Sequence, residues 1–142
     1  MAQKYFWDDK VILVVEDDTS SSLLLQAILS RTGARLLFAE DGESAVTLIE
    51  NQSEIDMVLM DIRLKGLNGL EATSRIKQIS PNTPVIAQTA CAIIGDMESC
   101  YKAGCNAYLA KPINTQTLLE TIDYYFKKSA VQDLLDTAVF TN

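Results

Sequence analysis

Acidic side chains follow two separate apolar runs of the sequence. Glu16, Asp17 and Asp18 come directly after VILVV, and Asp61 comes directly after VLM. If both runs are strands of one parallel sheet, their carboxyl ends meet at one edge and the carboxylates converge. Like charges this close repel one another and raise one another's pKa, so a hard cation with oxygen ligands stabilises such a cluster. The sequence therefore predicts a magnesium site on these strand ends.

A hydroxyl and an ammonium follow two later apolar runs. Thr89 ends the run VIAQT, and Lys111 follows AYLA. At the same edge of the sheet, Lys111 would neutralise an incoming phosphoryl group as a point charge, and Thr89 would donate a hydrogen bond to one of its oxygens. Asp61, between a cation and Lys111, is then a candidate carboxylate nucleophile toward phosphorus. A helix cap or a solvated loop would explain either residue alone, but not their joint order along the chain.

The composition excludes several classes of enzyme. The 142 residues are 48% hydrophobic and 22% charged, which fits one globular domain with a sizeable core. The chain contains no histidine, which excludes Ser-His-Asp and Cys-His nucleophiles, histidine-ligated zinc and a phosphohistidine carrier. Its three cysteines lack CxxC spacing, so we expect small buried or half-buried residues rather than a disulfide or zinc site.

The charge and hydropathy patterns limit the partners of this domain. A net charge of -7 with no basic cluster argues against nucleic acid and against anionic membrane. No apolar run reaches the length of a membrane span, and the N-terminus MAQKYFWDDK has no apolar signal core. We therefore expect a soluble, cytoplasmic chain.

Five short apolar runs alternate with five segments of helical period. This (βα)5 pattern predicts parallel strands joined by right-handed helical crossovers, and hence a three-layer, doubly wound α/β domain. Five strands favour the flavodoxin-like order 2-1-3-4-5, whose switch point lies between the first and third strands. The strands are predicted at residues 11–15, 35–39, 55–60, 84–89 and 107–110.

Short polar side chains mark where several helices begin. Asp18 or Thr19 is placed to cap the first helix, which is also the simplest explanation of Asp18. Asn68 followed by Glu71 resembles a capping box ahead of the third helix, and Asn114 precedes the fifth.

The last residues form a separate segment in this prediction. Val131, Leu134, Leu135 and Ala138 fall at i, i+3, i+4 and i+7, which is the spacing of a short amphipathic helix. A helix this short is marginal alone in water, so a loosely packed linker is the alternative. The predicted division is a domain over residues 1–128 and a C-terminal tail over residues 129–142.

Over residues 10–128 these features together resemble the receiver domain of bacterial response regulators and hybrid histidine kinases. The matching segments are Glu16-Asp17 after VILVV, Asp61 in VLMDIRLKGLNG, Thr89 in PVIAQTA, and Lys111-Pro112 in AYLAKP. All of them fall at predicted strand ends, and the order 2-1-3-4-5 is also the order of this family.

The resemblance implies a metal site and a phosphoacceptor. Asp61 would accept the phosphoryl group. Asp17 and Asp61 would ligate Mg2+ directly, and Glu16 would hold the ion through water. The backbone carbonyl of Arg63, two residues after the acceptor, would complete the site.

The resemblance also implies a conformational switch. Lys111 would be the counter-ion of the phosphoryl group, and its peptide bond to Pro112 would be cis. Thr89 would turn toward a phosphoryl oxygen, and Tyr108, three residues before Lys111, would swing inward with it. The face formed by the fourth helix, the fifth strand and the fifth helix would change shape as a result.

The implied function is two-component phosphorelay signalling. The domain would take a phosphoryl group from a histidine kinase or a histidine phosphotransfer domain, and it would catalyse only this transfer and its own slow autodephosphorylation. It would signal by contact with a downstream protein or with its own kinase core. The resemblance leaves open whether it stands alone or is one piece of a hybrid kinase, and whether phosphorylation drives homodimerisation.

The sequence departs from the family at one position of the acceptor loop. Members often have proline four residues after the phosphorylated aspartate, where this chain has Lys65. Gly66 and Gly69 still supply a turn into the third helix. Arg63 and Cys91, two residues beyond Asp61 and Thr89, occupy positions that vary among members, so the sequence does not fix the rate of autodephosphorylation.

Three alternatives use parts of the same pattern. A haloacid-dehalogenase-like phosphatase needs a second aspartate two residues after the nucleophile as general acid, but this chain has Arg63 there. A flavodoxin would bind flavin phosphate at the Ser/Thr-rich residues 19–22, but the preceding acidic residues would repel that phosphate. A degenerate receiver would act only as a phosphorylation-independent binding module, which the intact acidic, threonine and lysine positions disfavour.

Overall fold

The predicted apolar runs form a parallel sheet that helices cover on both faces. A computed structural model describes residues 4–64, 66–90 and 94–141 of the chain. Along it the elements alternate as β1 (Val11–Val15), α1 (Thr19–Ser30), β2 (Arg35–Ala39), α2 (Gly42–Asn51), β3 (Met57–Asp61), α3 (Gly69–Ile79), β4 (Val85–Thr89), α4 (Ile94–Ala103), β5 (Ala107–Ala110) and α5 (Thr115–Thr141).

The sheet has the predicted strand order, β2-β1-β3-β4-β5, and all of its neighbouring strands run parallel. Every residue of the three central strands, β1, β3 and β4, is buried, because side chains from both faces of these strands pack under helices. Two strands differ from their predicted ends. β3 begins two residues later than predicted and extends one residue further, to Asp61, and β4 begins one residue later, at Val85.

Two apolar layers hold the helices on the sheet. One layer joins the sheet to α2, α3 and α4 and contains Ile49, Ile76 and Cys100. The other joins it to α1 and α5 and contains Leu29 and Ile122. Cys100 and Cys105 are buried as predicted, whereas Cys91 lies outside the described residues.

The predicted caps begin their helices. Asp18 accepts a hydrogen bond from the Ser21 N–H at 2.9 Å, and Asn68 accepts one from the Glu71 N–H at 3.0 Å. Asn114 does the same for the Thr117 N–H at 3.0 Å. Each side chain satisfies one of the free N–H groups of a first helical turn, which fixes where the helix leaves the carboxyl edge of the sheet.

The tail differs from both structures that its sequence suggested. It is neither a separate helix nor a linker, because α5 continues without a break through Thr141. The side chains of Val131, Leu134 and Leu135 are 55%, 70% and 57% exposed, so the apolar stripe exists but does not pack on the domain. Whether residues 129–142 act as a unit apart from residues 1–128 stays a prediction.

The segment before β1 is part of the packed domain, which the sequence analysis did not foresee. The Trp7 side chain is 4% exposed and its Nε1–H donates to Asp123 Oδ1 at 3.3 Å. Its ring meets that of Phe126 edge-on, with centroids 5.3 Å apart. The tryptophan thereby fastens α5 to the sheet.

Among the described helices, none combines the length and the apolar character that crossing a bilayer requires.

Helix α3 starts directly on the backbone that follows β3. The Gly69 N–H donates to the Ile62 carbonyl at 3.1 Å. A Cβ atom at Gly69 would lie 2.3 Å from the Asp61 carbonyl oxygen and 2.6 Å from Ile62 Cα, and neither backbone atom can rotate away. The lack of a side chain at Gly69 therefore sets the position of Asp61.

We expect Gly69→Ala to lower the free energy of unfolding by about 3 kcal/mol, because the added methyl group overpacks against fixed backbone. Urea unfolding measures this. Gly66→Ala is the matched control: its φ is +72°, but the nearest atom to an added Cβ is 3.6 Å away. That variant should lose about 1 kcal/mol through backbone strain alone. Equal losses in the two variants would contradict the close contact at Gly69.

Candidate functional site

The predicted site residues meet at the carboxyl edge of the sheet. Glu16 follows β1, Asp61 ends β3, Thr89 ends β4 and Lys111 follows β5. Asp17 continues from Glu16 into the turn before α1. Because β1 and β3 are neighbours at the switch point of the strand order, their acidic residues lie side by side.

The three predicted carboxylates form one cluster. Glu16, Asp17 and Asp61 each offer an oxygen, and these oxygens all lie within 4.8 Å of one another. Glu16 and Asp61 are 2% and 6% exposed, whereas Asp17 is open to solvent. Carboxylate oxygens at this spacing are the donor set that Mg2+ prefers, and the exposed Asp17 gives an ion access from water.

Lys111 connects the ends of the central strands. Its Nζ lies 2.6 Å from Glu16 Oε1 and 3.4 Å from Asp61 Oδ2. The ammonium therefore sits between the ends of β1 and β3, although the backbone of Lys111 follows β5. The peptide bond from Lys111 to Pro112 is cis, as predicted.

The pKa values of Glu16 and Lys111 both lie above those of the free side chains. Burial, reinforced by the side chain of Asp61, raises the pKa of Glu16 to about 7, and Lys111 only partly offsets this. Burial alone would lower the pKa of Lys111, but the hydrogen bond to Glu16 and the charge of Asp61 outweigh burial and raise it. Among the described residues, one ammonium faces three carboxylates, so this part of the cluster has a deficit of positive charge.

Backbone and side chains orient the two oxygens of Asp61 differently. Oδ1 accepts a hydrogen bond from the Arg63 N–H at 2.9 Å, while Oδ2 faces Lys111. The Arg63 side chain points elsewhere, since its Nη2 lies 3.5 Å from Oδ2 of Asp96 in the first turn of α4. The sequence analysis did not foresee this ion pair, because nothing in the spacing brings the two residues together. The Arg63 carbonyl as a metal ligand stays a prediction.

Thr89 ends β4, and Tyr108 lies on the neighbouring strand β5. Thr89 is 1% exposed, and its carbonyl accepts a hydrogen bond from the Lys111 N–H at 2.8 Å. Tyr108 is half-buried and packs on the apolar layer toward α2, α3 and α4. Their roles in switching stay predictions. Lys65 and Cys91 lie outside the described residues.

A sixth polar side chain adjoins the site, although its position in the sequence predicted no role for it. Gln88 precedes Thr89 in β4, is completely buried, and pairs in register with Asp61. Neither atom of its amide has a hydrogen-bond partner in the part of the chain that the structure describes. The signal was present in the sequence as a lone amide within the otherwise apolar run PVIAQT.

Both the sequence and the fold of this chain are similar to those of known proteins. The sequence model of the response regulator receiver domain matches residues 12–123. That range begins at the second residue of β1, includes the other four strands and ends within α5.

Two relatives differ in how much of their own length the match covers. The chain is 38% identical over 120 residues to the hybrid signal transduction histidine kinase I of Dictyostelium discoideum, covering 79% of this chain and 7% of that protein. It is 35% identical over 118 residues to the polar-differentiation response regulator DivK of Brucella anthropi, covering 82% of this chain and 95% of that protein. The chain thus spans a small fraction of the first relative and nearly all of the second.

A solved structure shares the fold of this chain. It is the receiver domain of the sensor histidine kinase PA1611 from Pseudomonas aeruginosa PAO1, which has a magnesium ion coordinated in its active-site cleft. The two chains are 38% identical with a TM-score of 0.76, over 82% of this chain and 96% of that one. The strand order, the acidic cluster and the sequence match all indicate the same family. The chain belongs to the response regulator receiver domain family.

Proposed function

We propose that this domain is a magnesium-dependent phosphoryl acceptor in a two-component phosphorelay, with Asp61 as the acceptor. The observation that supports this most is the convergence of three carboxylates and one ammonium at the switch point of the sheet. The donor is a phosphohistidine on a histidine kinase or on a histidine phosphotransfer domain. Such a donor is consistent with both kinds of relative, the hybrid histidine kinase and the response regulator that the match covers almost completely.

The transfer is a displacement at phosphorus. An oxygen of the Asp61 carboxylate forms a P–O bond while the P–N bond of the phosphohistidine breaks, and the electron pair of that bond leaves with the imidazole nitrogen. Lys111 offers its positive charge to the phosphoryl oxygens from beside Asp61 Oδ2. The Arg63 N–H holds the other oxygen, which fixes the direction from which the carboxylate attacks.

Magnesium fits the acidic cluster. Glu16, Asp17 and Asp61 would hold the ion, because their oxygens are close and the site lacks positive charge. Bound there, Mg2+ would supply charge to the non-bridging oxygens of the phosphoryl group. The cleft of the related PA1611 receiver contains a magnesium ion, which supports the same assignment here.

The output surface is the face formed by α4, β5 and α5. Thr89 ends β4 beside the site, and Tyr108 lies on β5 under α4, so a phosphoryl group that attracts Thr89 changes the packing of Tyr108. Tyr101 on α4 and Tyr124 on α5 are 49% and 57% exposed, and they offer apolar surface to a downstream protein or a kinase core.

A domain that exchanges phosphoryl groups with ATP-consuming kinases works in the cytoplasm.

The phosphoryl-acceptor assignment predicts an adduct on one side chain. Incubation with phosphoramidate and Mg2+ should add the mass of one phosphoryl group to the intact protein, and Asp61→Asn should abolish this addition because an amide is not a nucleophile toward phosphorus. Intact-protein mass spectrometry measures it. Asp133→Asn, the same change on an exposed part of α5, should retain the adduct.

Two outcomes would contradict this assignment. An adduct that persists in Asp61→Asn would place the acceptor on another residue. A folded wild type that takes up no phosphoryl group with Mg2+ present would instead identify the domain as a phosphorylation-independent binding module.

The magnesium assignment predicts different effects for two neighbouring carboxylates. Asp17→Asn should weaken Mg2+ binding about tenfold or more, because a ligand is lost, and it should leave the free energy of unfolding within about 0.5 kcal/mol because Asp17 is exposed. Isothermal titration calorimetry and urea unfolding measure the two effects. Asp18→Asn is the matched control, since asparagine caps α1 as well as aspartate does. Similar Mg2+ affinities in the two variants would rule out Asp17 as a ligand.

The raised pKa of Glu16 predicts a pH-dependent stability. Between pH 4.5 and pH 7 the native state holds a proton on Glu16 that the unfolded chain has released, so raising the pH lowers the free energy of unfolding. Relative to Glu16→Gln, the wild type without divalent ions should lose up to about 3 kcal/mol across this range.

Urea unfolding at several pH values in a chelator measures this difference. Mg2+ should reduce the loss, since it favours the ionised carboxylate. A difference between wild type and Glu16→Gln that stays constant or rises with pH would contradict the account of the Glu16 charge.

A further inference from the structure

Arg63 contacts the acceptor through its backbone and α4 through its side chain. Its N–H donates a hydrogen bond to Asp61 Oδ1 at 2.9 Å. Its guanidinium Nη2 lies 3.5 Å from Oδ2 of Asp96, in the first turn of α4. The Arg63 side chain therefore leaves the backbone beside the carboxylate that the proposed function phosphorylates, and it ends at the proposed output surface. One residue connects the two.

The contact between Arg63 and Asp96 is an ion pair without a hydrogen bond. Oδ2 of Asp96 is buried, yet it accepts no hydrogen bond from any residue in the described part of the chain. The Arg63 side chain is 59% exposed, so water surrounds much of the guanidinium. A partly exposed pair of this kind contributes little free energy. The guanidinium can therefore leave Asp96 at small cost when a better partner is near.

A phosphoryl group on Asp61 would be such a partner. Its three oxygens carry more negative charge than a carboxylate, and guanidinium groups bind them with paired, charge-assisted hydrogen bonds. Because the Arg63 N–H is held at Asp61 Oδ1, the long side chain starts within reach of a group attached there. Its turn from Asp96 to the phosphoryl oxygens needs rotation of the side chain alone.

We propose that Asp96 is a positioning residue of the acceptor site, which holds the Arg63 guanidinium away from Asp61 until a phosphoryl group competes for it. This inference rests on the proposed function and adds to it a residue that acts through Arg63. When the pair breaks, Asp96 loses this cation and the first turn of α4 repacks. Occupation of Asp61 then reaches the output surface by a route that does not pass through Thr89 and Tyr108.

The two events are thermodynamically linked, so removing the charge of Asp96 should favour occupation of Asp61. The probe is beryllofluoride, which binds an aspartate carboxylate as a mimic of the phosphoryl group, at saturating Mg2+. Asp96→Asn should lower its Kd about threefold, the scale of one partly exposed ion pair. Arg63→Gln should raise the Kd, because a cation is lost. Titration followed by fluorine NMR measures both. Glu98→Gln, an exposed carboxylate on the same helix, is the matched control and should leave the Kd unchanged.

Hydrogen–deuterium exchange measures the response of α4 itself. In wild type, beryllofluoride should speed the exchange of amides in the first half of α4, because the pair that holds its first turn is broken. In Asp96→Asn these amides should exchange fast without beryllofluoride, and its addition should change them little. A merely structural role of Asp96 would leave the response of α4 to beryllofluoride as large as in wild type.

A double-mutant cycle separates action through Arg63 from a general effect of charge. In the Arg63→Gln background, Asp96→Asn should have no further effect on the Kd. An unchanged or higher Kd in Asp96→Asn, or a threefold effect that persists without Arg63, would overturn this inference alone. Should Asp96→Asn not fold, Asp96→Ser takes its place in the same cycle. A folded wild type that binds no beryllofluoride with Mg2+ present would overturn the proposed function, and this inference with it.

Discussion

The buried carboxylates of Glu16 and Asp61 share the single ammonium of Lys111, and the architecture of the site depends on this imbalance of charge. Burying acidic groups side by side costs stability, as the raised pKa of Glu16 shows. This cost arises at one edge of the sheet, and the apolar core on both faces of the sheet offsets it. A site with a deficit of positive charge attracts a divalent cation. In the proposed function, that cation and the lysine together would stabilise an incoming phosphoryl group.

Direct contacts connect this local electrostatic arrangement to the elements around it. Gly69 lets α3 press on the Asp61 backbone, and the Lys111 N–H is bonded to the Thr89 carbonyl. Arg63 reaches from the acceptor loop to Asp96 on α4. A change of charge at Asp61 therefore acts on β4, β5 and α4 through direct contacts. These elements lie next to the proposed output surface or form part of it.

Strand order and site residues could be predicted because both follow from local patterns. Continuous apolar runs indicate strands buried on both faces, and polar residues at their ends must share an edge. The meeting of Glu16, Asp17, Asp61 and Lys111 at that edge could therefore be predicted without coordinates. Features that depend on tertiary packing were missed. Two of them are contacts between residues with no recognisable spacing in the sequence: Trp7 with α5, and Arg63 with Asp96. The third is the continuation of α5 through Thr141, which overrides a weak local preference. Gln88 was visible as an amide in an apolar run, but its lack of partners required the structure.

Chemical trapping of the acceptor tests the central claim most directly. Borohydride reduces an aspartyl phosphate to homoserine, so treating the phosphorylated protein with borohydride and mapping its peptides locates the modified residue. We predict homoserine at position 61 alone, and only when phosphodonor and Mg2+ were both present. Homoserine at another aspartate, or its absence from position 61 in protein that carries a phosphoryl group, would contradict the assignment of Asp61 as the acceptor.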